Sequence, residues 1–171
     1  GILFVVGVDV GMNTATPKFL MERTGMTLET AGLGTSLYFM ACTAGALVGA
    51  FILAKMSAKK FFQISMILAV IALIAMIPMK NTVGILIMVA IIGFTIANIF
   101  SIIFSIALQK LPLRANEISG LMVMGIAGGA IFPLLMGLMS DKMGQTGGLL
   151  VIFGCMIYLL IASFVIKENA Q

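Results

Sequence analysis

Asp9 stands between Val8 and Val10 and is the only carboxylate in the apolar run over residues 2–20. A charged side chain at the depth of a membrane is costly, so it faces protein or a water-filled cavity. Asn13 follows one helical turn later, and Thr16 continues the same face. A second polar stripe is Asn98, Ser101 and Ser105, spaced i, i+3 and i+7, with Gln109 one turn further on. Such stripes can line a hydrophilic path and hydrogen-bond a polar solute, and Asp9 could also take up and release a proton. Two other uses are compatible with the same residues. Asn98, Ser101 and Ser105 could hydrogen-bond neighbouring helices, and Asp9 could sit in an ion pair or polar cluster. Enzyme chemistry is disfavoured. The sequence has no His, which removes the commonest general base and metal ligand. Cys42 and Cys155 both lie in apolar runs, as packed, reduced thiols rather than a disulfide framework. No nucleophile–base pair, metal cluster or cofactor motif can be assembled.

The elements that must carry these residues follow from composition. Of 171 residues, 61% are hydrophobic and 9% charged, and the mean hydropathy is +1.22. A soluble domain carries roughly a quarter charged residues, so the chain is an integral membrane protein. The ten Lys/Arg and six Asp/Glu residues fall mostly in gaps between apolar runs. The gaps divide the chain into six spans, over residues 2–20, 32–54, 61–79, 83–108, 118–139 and 147–166, as a single bundle. Helices are expected rather than barrel strands. The runs are long and apolar all round, whereas barrel strands alternate over about ten residues. The net charge of +4 is scattered among the loops, without the basic face that nucleic acid would need. The chain opens on Gly1, with no initiator Met and no signal-peptide pattern, and reads as a piece of a longer protein.

Loop cations set orientation. Lys55, Lys59, Lys60, Lys110, Arg114 and Lys167 lie in gaps two and four and after the sixth span. Lys18, Arg23, Lys80 and Lys142 lie in gaps one, three and five. The bias places both ends in the cytoplasm. Spans three and six are almost wholly Ile, Leu, Val, Met and Phe, so both are expected to face lipid. Spans two and five are rich in small residues, including the pairs Gly45/Gly49 and Gly125/Gly129. Small residues let helix backbones approach closely, either in a fixed seam or along a moving interface. Pro133 lacks an amide donor and is expected to bend span five.

A short pattern recurs with opposite facing. Ala50, Ala54, Lys55 and Ser57 after span two align with Gly137, Asp141, Lys142 and Gly144 after span five, as an inverted three-plus-three repeat would require. Gly137, Asp141, Lys142 and Gly144 resemble the GxxxD(R/K)xG loop signature of the major facilitator superfamily. The loop after span two is a degenerate copy, with Ala54 for Asp and Ser57 for Gly, although Lys55, Lys59 and Lys60 keep its positive charge. Across essentially its whole length the chain is similar to the C-terminal half of the fucose permease-like sugar transporters. Residues 6–9, 98–108 and 119–141 carry that similarity, the last stretch most specifically.

The resemblance implies an all-α fold, half of a twelve-helix carrier with a sugar site at mid-membrane between two six-helix bundles. It implies symport of a hexose or deoxyhexose, linked to a cation, with a proton expected. The first and fourth spans here would face the cavity, and a partner bundle of six further helices would complete it. The setting would be a bacterial cytoplasmic membrane. Asp9, Asn13, Thr16, Asn98, Ser101 and Ser105 are then the candidate solute contacts. Tyr38 or Phe94 is the candidate aromatic platform for a sugar ring. A carrier of the same architecture for amphipathic drugs or organic anions stays open, because 15 Met residues suit an adaptable apolar cavity. A six-helix scaffold without transport activity stays open as well.

Overall fold

The computed structural model describes residues 1–110 and 112–166. The helices are α1 (Ile2–Thr24), α2 (Leu28–Leu53), α3 (Ala58–Met76), α4 (Thr82–Ile96), α5 (Ile99–Lys110), α6 (Ala115–Gly125), α7 (Gly128–Met143) and α8 (Gln145–Val165), with a short 3₁₀ turn at Pro112–Arg114. No strand occurs among the described residues. Lys167, counted above with the cytoplasmic cations, lies outside them.

Local chemistry sets the ends. Gly25, at φ 69° and ψ 16°, closes α1 in the left-handed conformation that glycine adopts without a Cβ penalty. Ser57 Oγ accepts from the Lys60 amide at the start of α3, and Asn81 Oδ1 accepts from the Val83 amide at the start of α4. α3 begins at Ala58, ahead of its apolar run, because it takes Lys59 and Lys60 into its first turn, whereas α4 begins at Thr82, next to the start of its run.

Spans four and five are each broken near their middle. In span four, Ala97 and Asn98 separate α4 from α5 while Ala97 keeps helical dihedrals, φ −48° and ψ −37°, so the interruption is one of hydrogen bonding. In span five, Ile126 and Ala127 separate α6 from α7. The amides of Ile126, Ala127, Gly129 and Ala130 all reach back three residues, a tightened 3₁₀ turn. The helix runs on through Pro133, so this interruption lies upstream of the proline singled out in the sequence.

Five segments among the described residues are long and apolar enough to cross a membrane: α2, α3, α4 with α5, the stretch from Pro112 through α7, and α8. α1 is also long, at 23 residues, but it is less apolar because it carries Asp9, Asn13 and Lys18. The packing pairs the spans crosswise. α2 lies on α4, while α7 lies on α1. α3 packs on α4 and α8 packs on α1, and α3 and α8 also meet each other. Each triplet of spans therefore sends its second and third helices onto the first helix of the other, the arrangement expected of a three-plus-three repeat.

The small residues make two of these contacts possible. A Cβ on Gly45 would collide with the Phe94 backbone, and one on Gly49 would collide with the Asn98 side chain. On the other side, Gly128 lies against the Leu3 carbonyl. The pairs noticed in the sequence are therefore seams inside this bundle, α2 on α4 and α6–α7 on α1. α3 buries one face and presents Ile64, Ile67, Leu68, Ile71 and Ile74 on the other, a stripe suited to lipid. α8 likewise exposes Ile161, Phe164 and Val165.

Pro17 sits inside α1 and cannot donate to the Asn13 carbonyl one turn back. The Thr35 hydroxyl of α2 donates to that carbonyl at 3.3 Å. Thr35→Val removes the donor at nearly constant volume. It is expected to lower stability by about 0.5–1.5 kcal/mol, measurable as an earlier midpoint in detergent unfolding, whereas Ser36→Ala, on an exposed side chain, changes little.

Candidate functional site

Asp9 of α1 opens into a cavity of about 380 Å³ between α1, α2 and the α4–α5 break. Its walls are Val5, Val6 and Asp9 from α1, Phe39, Cys42, Thr43 and Ala46 from α2, and Ile96, Ala97 and Phe100 from the broken span. Thr43 and Ala97 lie near the middles of their spans, so the cavity is at mid-depth. The helical phase of α2 explains its contribution. Phe39, Thr43 and Ala46 recur at i, i+4 and i+7 on one face, while Gly45 and Gly49 turn toward α4.

The polar inventory is small and one-sided. The Tyr38 hydroxyl donates to Asp9 Oδ1 at 2.8 Å. The Thr43 hydroxyl donates to the Phe39 carbonyl at 2.9 Å, which leaves its lone pairs as acceptors. An ionised carboxylate accepts only, and a thiol is a weak donor. Among the described residues, no Lys or Arg lines the cavity. The cavity thus offers acceptors to a solute that brings O–H or N–H donors, and apolar walls, with Phe39 and Phe100, to the rest of it.

Of the residues singled out in the sequence, Asp9 lines this cavity and Tyr38 supports it from behind. Tyr38 is fully buried, with its ring inside the α1–α2–α4 packing rather than open to a solute. Thr16 is buried and donates to the Met12 carbonyl at 2.6 Å. Asn98 is buried and donates to the Gly45 carbonyl at 2.8 Å, joining the broken span to α2. Asn13 is half-buried, one turn beyond Asp9, outside the lining. Phe94 is 38% exposed with its backbone against Gly45, also outside the lining. Ser101 and Ser105 are exposed on α5, and Ser105 accepts from the Gln109 amide at 3.1 Å. Phe39, Cys42, Thr43 and Phe100 were missed. Phe39, Cys42 and Thr43 share an i, i+3, i+4 spacing and Phe100 lies on a separate helix, but an apolar face shows its use only when the neighbouring helix is known.

The signature loop lies at one end of the bundle. Gly137, Asp141 and Lys142 are exposed on α7. Gly144, at φ 68° and ψ −169°, makes the turn into α8, a conformation that favours glycine. Glu22, at the end of α1, accepts from the Gln145 amide at 2.8 Å, and the Arg23 guanidinium donates to Thr146 Oγ1 at 3.1 Å. The ends of spans one and five therefore share a face. At the end of α2, Lys55 and Lys60 are exposed and Lys59 is half-buried.

Two curated transporters show what the sequence is similar to. The glucose/galactose transporter of Brucella abortus is 32% identical over 165 residues, covering 93% of this chain and 39% of that protein. A putative glucose/galactose transporter of Helicobacter pylori is 26% identical over 178 residues, covering all of this chain and 42% of that protein. The chain thus spans about two-fifths of the length of these curated relatives. The family model of the Major Facilitator Superfamily matches residues 1–170. A match of that extent, on an all-helical bundle of membrane-spanning segments, places this chain in the Major Facilitator Superfamily as an integral membrane protein.

Proposed function

We propose that this chain is one six-helix half of a secondary sugar carrier, with the cavity beside Asp9 as its share of the solute site. The observation that carries the reading is a mid-depth carboxylate in a cavity whose described residues offer acceptors and aromatic walls but no cation. A pyranose brings hydroxyl donors around its rim and apolar C–H faces, so it complements such walls. A site built to bond a hydroxyl rejects analogues that lack it. Phe39 and Phe100 take the place of the aromatic platform sought in the sequence. An organic anion would meet a carboxylate and no counter-charge, which weighs against the anion-carrier alternative. The names of the Brucella and Helicobacter relatives favour a hexose.

Transport would proceed by alternating access, with proton-linked symport and a partner bundle of six further helices. α2 and α7 both pack on α1 but share no extended contact with each other. Their outer faces, including Met40, Leu47 and Phe51 on α2 and Leu134 and Leu138 on α7, are apolar and exposed, the surface such a bundle would cover. Both ends of the segment would lie in the cytoplasm of a bacterial cell, with the chain in the inner membrane.

The test is uptake of labelled glucose, galactose and fucose by the full-length protein in proteoliposomes, under an imposed proton gradient and, separately, a sodium gradient. Accumulation of a hexose that collapses with the proton gradient supports the reading. Accumulation under sodium alone overturns the proton linkage. Export of a dye panel without any sugar uptake overturns the sugar assignment.

A further inference from the structure

We infer that Tyr38 is a positioning residue that fixes which Asp9 oxygen reads the solute, an inference that rests on the sugar-carrier reading above. The carboxylate has two oxygens, and they are not equivalent here. Oδ1 accepts the Tyr38 hydroxyl at 2.8 Å. Among the described residues Oδ2 has no hydrogen-bond partner, and it is an acceptor on a residue that lines the cavity. Tyr38 cannot touch a solute, because its side chain is fully buried. Gly93 of α4 lies so close that a Cβ there would stand 2.7 Å from the Tyr38 carbonyl and 3.1 Å from its ring. The ring is therefore clamped between helices, and its hydroxyl holds the Asp9 side chain in one rotamer from a fixed point on α2.

A single oriented acceptor selects one donor hydroxyl of the sugar, whereas a freely rotating carboxylate would accept from several. Tyr38 thus acts on specificity through Asp9 rather than on binding directly. Tyr38→Phe removes one oxygen and keeps the packed ring, so the fold is retained.

Uptake by the full-length protein is measured for the parent hexose and a panel of its monodeoxy and monofluoro analogues. In the wild type, one analogue should fall far below the others, that lacking the hydroxyl read by Oδ2. In Tyr38→Phe, KM for the parent rises about tenfold, the lower end of what a hydrogen bond to a charged group contributes, and the discrimination against that analogue shrinks by a similar factor. A uniform loss across the panel, or no change, would overturn the inference, since packing damage moves every sugar alike. A second readout does not depend on transport. The infrared band of the Asp9 carboxylate, assigned by its disappearance in Asp9→Asn, should shift in purified Tyr38→Phe. A shifted band in a protein that takes up no sugar sinks the carrier reading but leaves the Tyr38–Asp9 bond established. An unshifted band sinks the positioning role whatever the transport result.

Discussion

Asp9→Asn is expected to lower the proposed sugar uptake by about 10- to 100-fold in the full-length protein, with the protein still folded and inserted. The reasoning starts from the cavity inventory. Among the described lining residues Asp9 is the only Asp, Glu, Lys or Arg, so the strongest hydrogen bond available to a hydroxylated solute is the charge-assisted one to its carboxylate. Such a bond contributes about 1.5–3 kcal/mol. Asparagine keeps the volume and can still accept the Tyr38 hydroxyl, so the structural link to α2 survives. It replaces the second acceptor with an amide donor, and the solute hydroxyl then meets a donor. The loss should fall chiefly on KM if Asp9 only binds solute. It should fall on gradient-driven accumulation, with facilitated exchange of labelled sugar retained, if Asp9 also carries the coupling proton. Asn13→Ala is expected to change uptake little beside it, since Asn13 lies outside the lining. Uptake equal to wild type in Asp9→Asn would remove the cavity from the solute path.

The contrast between Asp9 and Asn13 also shows how far the residues could be read without coordinates. The lone carboxylate in an apolar run identifies itself, because nothing but a cavity or a partner tolerates it at that depth. The six spans were legible for the same reason, as charges cannot be left inside lipid. Polar neutral residues are ambiguous in a way that charge is not. Thr16 satisfies its own helix at Met12, and Asn98 satisfies α2 at Gly45. A hydroxyl or amide can be spent on a backbone carbonyl without any signature in the sequence. The aromatic walls escaped notice for the opposite reason. Phe39 and Phe100 look like any apolar residues until the gap between α2 and the α4–α5 break puts them on a surface. The break itself left no proline or glycine at residues 97 and 98 to announce it.

Gly45→Leu is expected to destabilise the bundle severely, because its seam is backbone against backbone. Overpacking a tight site costs about 1–3 kcal/mol where side chains can rearrange, occasionally more. Here the obstacle is the Phe94 carbonyl and Cα, which cannot swing away as a flexible side chain would. Relief requires α2 to move off α4. That movement would pull the Gly45 carbonyl away from the Asn98 amide, now 2.8 Å apart, and leave a buried amide unpaired where lipid and protein offer no water. It would also shift the α2 wall of the cavity, so Phe39, Thr43 and Ala46 would lose register with Asp9 together. The expected result is a large drop in folded yield and thermal midpoint in detergent. Gly32→Leu on the same helix serves as control, since a Cβ there meets nothing within 4 Å, and it should unfold near wild type. Gly137→Ala tests the same logic on the signature loop. Its Cβ also meets open space, so the isolated bundle should tolerate it. A transport defect in Gly137→Ala at unchanged stability would then locate that glycine's role at a contact outside this bundle. Equal stability losses for Gly45→Leu and Gly32→Leu would mean that side-chain bulk in the membrane, not the α2–α4 seam, sets the cost.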